Sequence, residues 1–273
     1  MSSHLGQVEI RKLTIVGNWK MHTHAADAIR LAKALVDGFV GDPNVSVAVS
    51  PPFPYLTLVR DIFKETHITL GAQNFFPAAD GAVTGEVSPT MLLDVGCKYV
   101  IVGHSERRQI LGESDQFISQ KLKIALSVGL NAILCIGETL DQRLSGQTES
   151  IIQSQLSKGL SGLQVEHLRY LHIAYEPIWA IGSSGHHATP EQVGQAHAIV
   201  RRRFQKMFGE RPAQALCIQY GGNVNPENAT ELLSTPGVDG ALIGAASLNA
   251  DQFLSIIRAA IRVKKAEMDL LVV

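Results

Sequence analysis

Glu176 stands at the end of an apolar run, Leu171-His172-Ile173-Ala174-Tyr175, and is followed at once by Pro177-Ile178-Trp179-Ala180-Ile181-Gly182. A carboxylate at the C-terminal tip of a buried strand, beside a proline-stiffened segment with a tryptophan and small residues, has the placing of a catalytic base with its own covering loop. Other strand-like runs end in groups just as suited to chemistry. Asn18 and Lys20 follow the first; Gly103-His104-Ser105-Glu106-Arg107-Arg108 follows the fourth; Gly221-Gly222-Asn223 and Gly244-Ala245-Ala246-Ser247 follow the seventh and eighth. One base, one imidazole, one ammonium and two small-residue turns suit proton movement next to a carbonyl on a phosphorylated sugar. Glu176 would take the carbon-bound proton, Lys20 and His104 would stabilise charge developing on the oxygens, and backbone N–H groups of the turns would hold the phosphate. Such chemistry calls for no metal and no organic cofactor.

Each group has a plainer reading. Lys20 alone is a surface lysine, His104 a satisfied core histidine, and Glu106 a partner for Arg107 or Arg108. His22-Thr23-His24 and His186-His187 lack a third ligand at a recognisable metal spacing. The order of the groups along the chain is more specific than any one of them.

The elements that must position these groups repeat along the chain. Short β-rich runs fall at 13–17, 45–50, 68–71, 99–102, 132–136, 171–175, 216–220 and 240–243. Most are followed by a segment of helical period, clearest over 25–39, 115–128 and 193–208, the last opened by Pro190 with Thr189 as its N-cap and Glu191 in the first turn. Strands apolar on both faces and separated by helices predict a parallel sheet, and eight such units predict an α/β fold of the closed (β/α)₈ barrel type in a single domain. A doubly wound open sheet is the rival. It fits less well, because the first strand is followed by Asn18-Trp19-Lys20-Met21 and not by a glycine-rich dinucleotide turn. The barrel is expected over 13–263, with an N-terminal extension over 1–12 and a C-terminal tail over 264–273.

The bulk numbers agree. At 273 residues, 45% hydrophobic, 18% charged and net charge −1, the chain is globular and gives no electrostatic reason to expect nucleic acid or an anionic membrane as partner. Cys97, Cys135 and Cys217 are odd in number, widely spaced and set in or beside apolar runs, so they read as reduced and buried. No signal-peptide core opens the chain and no apolar stretch reaches the roughly 18 residues of a membrane span. A cytoplasmic protein acting on a small ligand is expected.

With Asn18-Trp19-Lys20, Gly103-His104-Ser105-Glu106-Arg107-Arg108, Cys135-Ile136-Gly137-Glu138, the run from Tyr175 to Gly182, and Tyr220-Gly221-Gly222 all in order, the chain resembles triosephosphate isomerase, from about Leu13 to about Ala259. That family is itself the usual example of a Glu base, a neutral His electrophile and a water-excluding loop, so these roles come with the resemblance. The resemblance implies a TIM barrel that interconverts dihydroxyacetone phosphate and glyceraldehyde 3-phosphate through an enediolate, as in glycolysis and gluconeogenesis. Glu176 matches the base, His104 the electrophile, Lys20 the cation near the substrate oxygens, Asn18 a polar positioning group and Glu106 an acid behind Lys20. Gly182, Asn223, Gly244 and Ala245 fall at the phosphate-gripping positions. The 14-residue stretch 73–86, longer than a barrel connection needs, matches a loop that docks into a second subunit. A homodimer is expected, with Thr84 near the loop tip.

Three positions depart from the family pattern. The segment after Ile181 reads Gly182-Ser183-Ser184-Gly185-His186-His187-Ala188-Thr189-Pro190, one residue longer and with His in place of Lys; Asn223 replaces a serine; Ala245 replaces the second glycine of a Gly-Gly pair. Ala245 would be strained only if its φ had to be positive. An isomerase of a larger keto-sugar phosphate, such as a tetrulose phosphate, and a silent scaffold acting through its surface are the competing functions.

Overall fold

A computed structural model of the chain describes residues 11–182 and 187–271. Residues 1–10, most of the expected N-terminal extension, and residues 183–186, with the expected extra residue and the histidine in place of lysine, lie outside the described residues.

The strands are β1 (Leu13–Asn18), β2 (Val45–Ser50), β3 (Ile68–Ala72), β4 (Tyr99–Val102), β5 (Asn131–Ile136), β6 (Leu171–Tyr175), β7 (Cys217–Tyr220) and β8 (Gly240–Ile243). They pair in parallel in sequence order, and β8 closes on β1 with Thr14 opposite Gly240, which completes the predicted barrel. The helices are α1 (Ala25–Gly38), α2 (Leu56–Phe63), α3 (Pro89–Asp94), α4 (Ser105–Gln109), α5 (Asp115–Ser127), α6 (Leu140–Leu144), α7 (Thr148–Gly159), α8 (Pro190–Phe208), α9 (Glu210–Ala215), α10 (Ala229–Leu233) and α11 (Ala250–Leu271). Thr189 caps α8 as expected, through a reciprocal pair with Gln192.

Period-two alternation explains why the strands read as continuous apolar runs. Val16, Ala48, Ile101, Ile133, Cys135, Ala174 and Leu242 form a core inside the barrel. Their strand neighbours, among them Ile15, Val47, Val49, Val100, Val102, Leu134 and Ile173, form a second core against the helices. A strand buried on both faces offers no polar side.

Two expectations are corrected. Residues 264–271 are not a tail beyond the last helix: α11 runs on through Leu271, with Lys264 buried and paired to Glu267 at 2.6 Å. Cys217 is only half-buried, whereas Cys97 and Cys135 are buried as read. Its position opening β7 places it at the rim. Among the described residues no helix is long and apolar enough to cross a membrane.

The 73–86 loop is fastened at its root. Asn74 Oδ1 accepts from the buried Lys121 ammonium at 2.6 Å, Lys121 pairs with Glu113, and Phe76 N–H donates to Val87 O at 2.9 Å. Its tip, Thr84 to Glu86, is exposed.

Below the site, α8 carries the fully buried His197, edge-on to Tyr175, with Nδ1 donating to Gly237 O at 3.0 Å and Nε2 without a partner. Burial first, partly offset by the Gly237 hydrogen bond, lowers its pKa to about 4 from the ordinary 6.5. The unfolded imidazole therefore takes up a proton near 6.5 and the folded one only near 4, so the unfolded state binds more protons between these values. This contribution to stability is complete above about pH 6.5 and is lost as pH falls toward about 4. Urea unfolding of H197Q should show a shallower loss of stability than the native chain over that window; equal slopes would refute the assignment.

Candidate active site

The strand tips enclose a cavity of about 500 Å³ lined by Asn18, Lys20, His104, Glu176, Gly182, Asn223, Gly244 and Ala245, among others. Eight of the nine residues singled out in the sequence for chemistry or for phosphate therefore line one space, and the ninth, Glu106, pairs with Lys20.

Glu176 follows β6 directly and is only 2% exposed. Its N–H donates to Ile136 O at 2.7 Å, which continues the β5–β6 ladder one residue past the strand and fixes the direction of the side chain. Oε2 accepts from Ser105 N–H at 2.9 Å, and Oε1 faces His104 Nε2 at 3.1 Å. Glycine is required on both sides: a Cβ on Gly137 would lie 1.8 Å from Glu176 O, and one on Gly221 would lie 2.7 Å from Glu176 Cγ. Beneath the base, burial, reinforced by Glu176, pushes the Cys135 thiol well above its ordinary range, so it stays a neutral packing group.

His104 caps α4. Its Nδ1 accepts from Glu106 N–H at 3.3 Å, which requires the lone pair on Nδ1 and leaves the proton on Nε2, pointed at Glu176.

Lys20 Nζ donates to Glu106 Oε1 at 2.6 Å. Glu106 thus pairs with Lys20, while Arg107 goes to Glu113 and Arg108 to Asp115, each at 2.7 Å. Partial burial opposes the charge of Glu106, yet the hydrogen bond from Lys20 and the neighbouring basic groups hold its carboxyl below its ordinary range. The stem of Lys20 lies against Gly244, where a Cβ would meet Lys20 Cε at 3.0 Å.

The backbone of Lys20 is left-handed, at φ 52°, a conformation that costs a residue with a side chain roughly 1–2 kcal/mol. Two side chains hold it there. Asn18 Oδ1 accepts from Lys20 N–H at 3.0 Å, and Gln73 Nε2 donates to Lys20 O at 2.8 Å and to Ser50 O at 2.9 Å. The sequence marks Asn18, whereas Gln73 stands there only as the start of a long loop. Its signal was an amide immediately after a strand tip. Glu138 was quoted only as part of a motif. It is fully buried and accepts from Tyr175 Oη and Trp179 Nε1, both at 3.0 Å, with Arg143 Nη1 at 3.3 Å, and so anchors the start of the segment that follows Glu176.

In the turns expected to hold phosphate, no residue other than glycine has positive φ. Neither Asn223 nor Ala245 has positive φ, so the penalty considered for Ala245 does not arise. The Asn223 N–H, expected to face phosphate, donates instead to Ala180 O at 3.1 Å. Gly182, exposed and at φ 69°, stands two residues further on.

A family model described as triosephosphate isomerase matches residues 13–260. Among curated relatives, the triosephosphate isomerase of Rhodopirellula baltica is 49% identical over 250 residues, covering 92% of this chain and 98% of its own. That of Carboxydothermus hydrogenoformans is 46% identical over 252 residues, covering 92% and 100%. That of Chloroherpeton thalassium is 47% identical over 253 residues, with the same coverage.

The bracket on Lys20 is testable. Removing the Gln73 amide takes the donor from Lys20 O, while Ser50 O keeps the Trp19 N–H at 3.1 Å, and frees Lys20 to relax, so Q73A is expected to lower kcat/KM about tenfold, the scale of one or two lost hydrogen bonds. An unchanged kcat/KM would mean that Asn18 alone sets the conformation.

Proposed function

The chain belongs to the triosephosphate isomerase family, and from that premise we propose that it interconverts dihydroxyacetone phosphate and D-glyceraldehyde 3-phosphate, with Glu176 as the base. The carrying observation is the 3.1 Å approach of the buried Glu176 carboxylate to His104 Nε2, at a cavity that Lys20 also lines. A carbonyl carbon and its neighbour placed in that cavity would share it with one base and two electrophiles.

In this reading the substrate replaces the donors that Glu176 now faces. The carboxylate turns from Ser105 N–H to the carbon-bound proton, and charge passes to the carbonyl oxygen. His104 Nε2–H donates to that oxygen, and Lys20, held by Glu106 and Asn18, adds a fixed positive charge. The hydroxyl proton of the enediolate passes to the former carbonyl oxygen and the same carboxylate returns its proton to the adjacent carbon, so one base serves both directions. Amides of Gly182, Asn223, Gly244 and Ala245 hold the phosphate, and the segment after Glu176 excludes water that would favour phosphate elimination from the enediolate.

E176Q is expected to lower kcat by about 10²–10⁴-fold and H104Q by about 10²–10³-fold, with both proteins folded, in a coupled assay of triose phosphate turnover. Full activity in E176Q would remove the base assignment. The same assay with a tetrulose phosphate separates the two sugar-phosphate readings: faster turnover of the larger substrate would reject the triose. No turnover of either by folded protein would favour a scaffold.

A cytoplasmic homodimer completes the proposal. The 73–86 loop is fastened at its root and exposed at Thr84, and Met21, beside Lys20, is 94% exposed in the single chain. Light scattering is expected to give twice the 29.5 kDa chain mass, whereas a single species at the chain mass would reject the dimer.

A further inference from the structure

The outer face of the barrel carries a second concavity, a groove of about 400 Å³ between α5 and the end of α7 that shares no residue with the substrate cavity. Gln116, Ser119, Gln120 and Lys123 line it from α5, and Lys158 and Ser161 from α7 and the turn that follows. The four residues of α5 stand at i, i+3, i+4 and i+7, which is one face of the helix. Three of them are exposed, whereas Ser119 is only 7% exposed.

A merely solvated helix face does not account for Ser119. A hydroxyl inside a helix can bond back to the carbonyl four residues earlier, yet Ser119 Oγ is enclosed and has no partner among the described residues. A buried hydroxyl left unsatisfied is costly, so it calls for a partner in the groove. The two lysines cross the groove from opposite sides. Lys158 Nζ reaches from α7 to Asp115 Oδ2 at 3.3 Å, at the start of α5. Lys123 Nζ reaches from α5 to the turn after α7, where a Cβ on Gly162 would lie 3.3 Å from it. Asp115, the one carboxylate in the lining, already holds Arg108 through Oδ1 at 2.7 Å. The groove therefore has an excess of positive charge.

Every lining side chain is polar, which disfavours an apolar ligand and offers no ring on which a base could stack. Two ammonium groups and a hydroxyl at the foot suit a tetrahedral oxyanion, and the amides on the rim suit hydroxyls carried behind it. We propose that this groove binds a small phosphate-bearing metabolite, its phosphoryl oxygens shared by Lys123, Lys158 and the Ser119 hydroxyl, and its remaining polar groups met by Gln116 and Gln120. The site is separate from the phosphate end of the catalytic cavity, and neither reading depends on the other.

The test is a titration of the full-length, isotope-labelled enzyme with inorganic phosphate and, separately, with glycerol 3-phosphate, followed through its amide resonances. Ser119 and Gly162 report the groove, and Gly244 reports the catalytic cavity. In the native enzyme the Ser119 and Gly162 resonances should shift and saturate. K123Q/K158Q should weaken that binding about tenfold or more and S119A about threefold, with the Gly244 response and triose phosphate turnover unchanged. Glycerol 3-phosphate should bind the groove more tightly than inorganic phosphate; equal binding would reject the metabolite, and with it the part given to Gln116 and Gln120. Groove shifts that do not saturate, that sodium chloride reproduces at matched ionic strength, or that persist undiminished in K123Q/K158Q would overturn the site and leave the catalytic cavity's phosphate reading untouched. A saturating response in the groove with none at Gly244 would support the groove while counting against that other reading.

Discussion

A buried carboxylate is the constraint around which the barrel mouth is arranged. Glu176 is almost wholly removed from water, where an ion without partners is costly by several kcal/mol. Its donors come from elsewhere in the chain, the Ser105 amide and the His104 ring, both at the start of α4. That requires the tips of β4 and β6, which flank β5 in the sheet, to meet at one small cavity. Close approach also requires hydrogen in place of side chains at Gly137 and Gly221. The same donors that steady the resting carboxylate mark where a reacting oxygen would lie.

Strain appears elsewhere in the lining of the cavity, at Lys20. Lys20 is one of three described residues other than glycine with positive φ, and its two backbone polar groups are both held by side chains. A flexible lysine is thereby given one direction, and Glu106 fixes its far end. The arrangement concentrates local cost in the residue that must not wander, a pattern common at functional sites.

Much of this was readable in the sequence, for a physical reason. Glu176, His104, Lys20 and Asn18 each follow a strand tip within a few residues, so strand periodicity alone assigns them to one face. Asn18 to Lys20 and His104 to Glu106 are local contacts whose direction the chain order suggests. What escaped were contacts decided by three-dimensional approach. Gln73 reaches back 53 positions to Lys20 O, Glu138 collects partners from β6 and the segment after it, and Asn223 offers its amide to Ala180. None has a period or a spacing that announces it. The continuation of α11 was different. Ile257, Ile261, Lys264 and Met268 keep a helical spacing past the end of the family match, yet the charged residues between them read as a solvated tail.

The chain has two tryptophans, and their settings differ in a way that makes one of them an optical gauge. Trp19 is fully buried beneath the site, whereas the indole of Trp179 donates to the carboxylate of Glu138 and lies 4.5 Å below the guanidinium of Arg143. The excited state of indole shifts charge across its rings, so its emission responds to the field of a fixed anion at one edge and a cation over one face. The foot of the segment beyond Glu176 therefore carries its own chromophore, sensitive to displacements too small to alter the fold.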